Sequence, residues 1–213
     1  MLIQHKGGYW GTNKMANYNA IRYNVPYSEA GSLKLIKTIT ASSDATISFV
    51  DGASDVVLDN TYKEYMFIFN NIHPETNSQY FGFKGSINTG SAYGVATTST
   101  VTRAYHDEAN SATDLEYEGS ADLAQGTGQI PLSTSVGNGN DESCSGFLHL
   151  FDPSNTTFVK HFTAGVQGYA GGAYSIVHYT GGYINTTSAE DAIQFLFASG
   201  DIDAGDIQLF GVN

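Results

Sequence analysis

Glu116 and Glu118, in the stretch "DLEYEG", are the residues whose type and spacing come nearest to catalytic chemistry. At i and i+2 on one face of a strand, their Cα atoms stand roughly 6.5–7 Å apart. Retaining glycosidases hold two carboxyl groups about 5–5.5 Å apart, so the spacing admits a glycan hydrolase. The plainer reading is an outward strand face charged for solubility, and the shortness of the motif favours it. Two acidic loops offer hard-cation chemistry: "GNGNDES" with Asn138, Asn140, Asp141 and Glu142, and "SGDIDAGD" with Asp201, Asp203 and Asp206. Neither follows the EF-hand pattern, so turn-forming Asp is expected, and Ca²⁺ is the one cofactor left open. The six histidines have no zinc-site spacing, and the only cysteine, Cys144, reads as a small buried residue in preference to a nucleophile partnered by His149. No phosphate-binding loop is present.

Tyr169, Tyr174, Tyr179 and Tyr183, with Asn185 beside them, gather around the Gly-rich stretches "GVQGY" and "GGYIN". Read as aromatic loops, they offer flat faces and short polar groups, the character of a glycan-stacking surface and equally of a subunit interface. The interface is the preferred of the two.

Positioning such groups falls to strands. The chain has 213 residues with 24 Gly, 14 Tyr and 12 Phe but 4 Pro, which suits strands joined by tight turns. Eleven short strand signals begin at Leu33: "LKLIKTIT", "ATISFV", "YKEYMFIFN", "QYFGFKGSI", "TSTVTRAY", "DLEYEG", "GFLHLF", "TTFVKHF", "AYSIVHY", "AIQFLF" and "GDIQLFGV". Turn clusters separate them, which predicts an all-β antiparallel sandwich. In "YKEYMFIF" both alternating sets are apolar, the mark of a central strand. "TTFVKHF" reads as partly exposed. "TSAEDA" at 187–192 carries a local helix signal one turn long. "AQGTGQIPLSTSVGNGNDES" has no extended run and reads as a long loop. After "AIQFLF" the closing alternation of Ile207 and Leu209 predicts a last strand that finishes a sheet.

Residues 1–32 lack any sustained period and read as an extended arm, distinct from a β domain at 33–213. Lys6, Lys14 and Arg22 against Glu29 give the arm +2, leaving the body at −14 of the total −12. A basic, aromatic arm suggests docking on a neighbour through Tyr9, Trp10, Lys14, Tyr18, Arg22 and Tyr23. The acid balance, with nine Lys and Arg, argues against nucleic-acid binding. No apolar run reaches the about 20 residues needed to span a bilayer, and one cysteine cannot form an intrachain disulfide. Folding in a reducing cytoplasm without membrane insertion is the expectation.

From Leu33 onward the chain resembles a group of β-sandwich structural proteins of tailed bacteriophages, especially phages of marine bacteria. The stretches that carry the likeness are "SLKLIKTITASSDATISFVDG", "YMFIFNNIHPETN", "AYHDE", "LSTSVGNGNDESCSGFLHLFDPSNTTFVKHF" and "AIQFLFASGDIDAGDIQLFGV", the last being the most specific. The resemblance covers about five-sixths of the chain. It implies a jelly-roll-like fold and a virion component assembled in the host cytoplasm, with no enzyme activity. The expected partners are other capsid or tail proteins and further copies of the chain, a homotrimer being favoured. A capsid decoration or cement role leads. A tail fibre or spike part, or a module binding host glycan, is the alternative.

Overall fold

Tyr65, Phe67 and Phe69 are buried while Met66 and Ile68 between them are half-buried, so one side of this segment meets a core and the other does not. The computed structural model describes residues 33–213, and the same alternation recurs in several, though not all, of its twelve strands. They are β1 (Leu33–Thr40), β2 (Ile47–Val50), β3 (Glu64–Pro74), β4 (Gln79–Ser86), β5 (Thr97–Asp107), β6 (Thr113–Tyr117), β7 (Ile130–Val136), β8 (Cys144–Phe151), β9 (Lys160–Ala170), β10 (Tyr174–Ile184), β11 (Ala192–Phe197) and β12 (Ile202–Val212). The predicted arm, with Tyr9, Trp10, Lys14, Tyr18, Arg22 and Tyr23, lies outside the described residues.

Eight of these strands pair as one long hairpin folded over on itself: β1 with β12, β2 with β11, β3 with β8 and β4 with β7. The ladders β12–β3 and β11–β4 then fuse the pairs into two antiparallel sheets, ordered β1-β12-β3-β8 and β2-β11-β4-β7. This is the jelly roll, two sheets with no crossing connections between neighbours. The other four strands are insertions. The β5–β6 hairpin enters between β4 and β7, and the β9–β10 hairpin between β8 and β11. They zip together through β10 and β5 and extend the first sheet to β1-β12-β3-β8-β9-β10-β5-β6. The extension curls over the second sheet, joined to it at the residue pair Val136 and Ala170.

The core between the sheets is aromatic. Phe195 of β11 lies 5.1 and 5.2 Å, ring centre to ring centre, from Phe67 and Phe69 of the opposite sheet. It also contacts Phe49, Phe81 and Phe83 on its own sheet. Edge-to-face pairs of this kind add to the about 1.5–3 kcal/mol that burial of each ring contributes.

Three sequence expectations are corrected. The twenty-residue loop contains β7, which escapes notice because "IPLSTSV" has Pro131 near its start, a left-handed Ser135 (φ 58°) and no aromatic residue. Nearly all of β7 is buried, because the core covers one face and the curled extension the other. The strand expected at "TTFVKHF" starts only at Lys160 and runs on to Ala170, leaving Phe158 in a turn. Residues 187–191 form a bend and an irregular lead into β11 in place of a helical turn; the Glu190 amide donates to the Pro153 carbonyl at 2.9 Å.

Candidate interaction face and end trough

Opposite the core, the extended sheet presents its other set of side chains to solvent. Register places Ile68, Phe147, Gly165, Tyr179, Thr102 and Tyr117 in one row across six strands. A second row runs Leu35, Phe210, Met66, His149, and a third Val177, Ala104, Leu115. Leu115 is 77% exposed and Tyr179 60%, unusual values for large apolar side chains on the open face of a sheet. Two carboxylates share this face outside the rows: Glu64, paired with His149, and Asp206, bonded to Thr40. Gly165 is buried although it points outward, because a Cβ there would lie 2.9 Å from the Phe147 ring and 3.1 Å from Tyr179. The two rings therefore close over the glycine as one aromatic ridge. The outer face of the second sheet differs: Gln129 lies across Gly82 and donates to the carbonyls of Tyr80 and Leu196.

The five residues read from the sequence as an aromatic-loop site sit largely on strands, and the structure divides them. Tyr179 and Tyr183 face outward from β10, Tyr183 edge-on to His161. Tyr169 faces outward from β9, and its hydroxyl donates to Glu108 at 2.9 Å. Tyr174 opens β10 and packs edge-on against Tyr105. The Asn185 side-chain amide donates to Gln125 at 2.7 Å and ties down the loop after β6. Tyr169 and Tyr174 meet at one end of the sheet, where Ser175 lies between Tyr169 and His106 on the flanking strands. The large-small-large sequence makes a trough, continued by Asp107, Glu108 and Asp141 into a cleft of about 560 Å³.

Glu116 and Glu118 face inward, not outward. Arg103 on β5 stands between them, donating to Glu116 through Nε at 2.8 Å and reaching Glu118 through its other terminal nitrogen at 2.5 Å. Burial raises the Glu118 carboxyl, and the Ser120 hydroxyl and Arg103 outweigh it, holding the group below the usual range. A Glu118 carboxyl held ionised beside a guanidinium is poorly suited to general-acid chemistry. Behind them His178 is buried against Thr134 at 3.0 Å, and desolvation, with Arg103 nearby, pushes its pKa down to about 4. Cys144 points into the core, where burial pushes its thiol up, while His149 points outward from the same strand; they form no pair. Of the two stretches read as acidic loops, the second is mostly strand: Asp203 and Asp206 lie in β12, where Asp203 accepts from Ser43 and Asp206 is bonded to Thr40, while in the first Glu142 accepts from the Gly139 amide. Among the described residues no group of three acidic, His or Cys side chains is arranged to hold a metal ion.

Sequence reading misses one buried pair of ionisable groups. Glu190 is fully enclosed with both carboxylate oxygens unpartnered, resting against Gly85, and desolvation raises its pKa well above the ordinary value. Lys160, also buried, donates to the carbonyls of Phe158 and Thr186 at 2.9 and 3.2 Å. A carboxyl raised in the fold contributes stability that is full below its unfolded pKa and is lost as pH rises through the folded one. Glu190→Gln is therefore expected to gain about 1–2 kcal/mol at pH 8 and little at pH 4. Urea unfolding midpoints of both proteins across that range test this, and equal pH slopes would refute it.

Compared with protein-family models, with curated proteins and with solved structures, the chain matches none. Its class rests on the fold itself: a jelly-roll β-sandwich with one sheet doubled in width by two inserted hairpins and left apolar on its outer side.

Proposed function

We propose that this chain is a non-enzymatic structural protein of a tailed-bacteriophage virion, a capsid decoration or cement subunit, that assembles with its own copies through the outer face of the wide sheet. The carrying observation is the near-neutral, aromatic face on a body of charge −14. Copies of such a body repel one another, and the face is where apolar gain opposes the least charge. Eight strands about 4.8 Å apart and about 30 Å long span on the order of 1,000 Å². A stable interface needs about 800 Å² per partner. A trimer on a particle surface, held also by neighbouring virion proteins, fits this economy of charge. The non-enzymatic reading draws on Arg103, which engages both carboxylates of the pair.

Sedimentation at micromolar concentration is expected to give an oligomer for the full chain and a monomer for Tyr179→Asp. A monomeric parent protein at tens of micromolar would refute self-assembly through this face. Quantitative mass spectrometry of purified particles separates the placements: near-equality with the major capsid protein supports decoration, while a handful of copies supports a tail fibre or spike.

A further inference from the structure

The cleft at the Tyr169 end of the sheet has a different chemistry from the apolar rows beside it. Its walls, Tyr169 on β9 and His106 on β5, are flat rings on strands separated by β10, so their backbones stand about 9.5 Å apart. Ser175 forms the floor between them. A saturated six-membered ring presents C–H groups on its faces and hydroxyls around its rim. It fits between such walls with its faces toward the aromatics.

The rim of the cleft supplies the complementary polar groups. Glu108 is held in place by Tyr169 and keeps a second carboxylate oxygen free to accept. Asp141 is exposed and makes no hydrogen bond or ion pair within the described chain, so its carboxylate is available to a pair of neighbouring hydroxyls. Asp107 is already engaged by Ser111 and Ala112, which fixes the turn and with it the position of Glu108. Among the described residues no Lys or Arg lines the cleft. Acceptors without cations select against uronic or sialic acids and for sugars that carry no negative charge.

We propose that this trough is a binding site for a neutral pyranose, stacked on Tyr169 and hydrogen-bonded by Asp141 and Glu108. It goes beyond assembly, since it lies at the end of the face and does not use the Phe147–Tyr179 ridge. The test is calorimetric and NMR titration of the full chain with neutral oligosaccharides of glucose, galactose, mannose and N-acetylglucosamine, with polygalacturonate as the anionic counterpart. At least one neutral sugar is expected to bind, with affinity falling tenfold or more in both Tyr169→Ala and Asp141→Asn. Tyr179→Asp should bind as the parent does, which keeps failure of the trough distinct from failure of the interface. Asp141 is a surface residue, so its variant remains informative if Tyr169→Ala folds poorly. Absence of binding to every neutral sugar, binding that survives both substitutions, or preference for polygalacturonate would overturn the proposal.

Discussion

Replacing Phe195 by alanine is expected to cost the fold about 3–5 kcal/mol, enough to unfold much of a marginally stable domain. The ring touches five other phenylalanines drawn from β2, β3 and β4, and it is fully buried. Its removal therefore opens a cavity shared by both sheets, which cannot close without moving backbone. The neighbouring Leu196 points to the other side of the strand and is half-buried, so Leu196→Ala should cost far less. Chemical denaturation of the two variants beside the parent makes the comparison. A Phe195→Ala midpoint within about 1 kcal/mol of the parent would mean that the aromatic cluster does not carry the sandwich.

Arg103→Met should cost about 3 kcal/mol at pH 7, because it strands Glu118 as a buried, unpaired charge. The sign of the pH dependence is diagnostic. In the parent the Glu118 carboxyl is held below its ordinary value, so its contribution is present above the unfolded pKa and is lost as pH falls through the folded one. In the variant the carboxylate is the liability, and acidification toward pH 4 should narrow the gap between the two proteins. The double variant Arg103→Met, Glu118→Gln should recover most of the loss at pH 7. Equal losses in the single and double variants would show that the guanidinium matters for packing alone.

Much of this architecture is legible in the sequence where local pattern and tertiary environment agree. β1 and β11 fall on the residues that their alternation marks, and the apolar double set of β3 does identify a central strand, between β12 and β8. β7 is illegible for a physical reason: a strand buried by a later insertion on its outer side needs small Ser and Thr side chains there, and these read as a loop. Gly165 and Gly168 have a similar effect on β9, where glycine signals close packing by Phe147, Tyr179 and Cys144 and resembles a turn. Glu116 in β6 and Glu118 just after it are misleading because Glu-Tyr-Glu looks like an exposed face. Their inward direction is set by Arg103, thirteen and fifteen positions earlier on the partner strand. Tyrosine clustering marks real surface features, but only register shows that Tyr179 belongs to the ridge and Tyr169 to the trough.

The pairing of β1 with β12 has a bearing on how the protein is made. Leu33 meets Val212 across the ladder, so the first strand of the sandwich finds its partner only after every other strand of the sandwich has been made. The nested ladders inside it, β2 with β11 and β3 with β8, are also long-range, and such topologies fold slowly because loop closure precedes any gain from contact. The β9–β10 and β5–β6 hairpins are local and can form during synthesis, yet they display the aromatic ridge before the core exists to support it. Premature contact between nascent chains is the hazard this creates, and crowded polysomes would aggravate it. Synthesis at reduced temperature, or with a holdase present until β12 has been made, should raise the soluble yield accordingly.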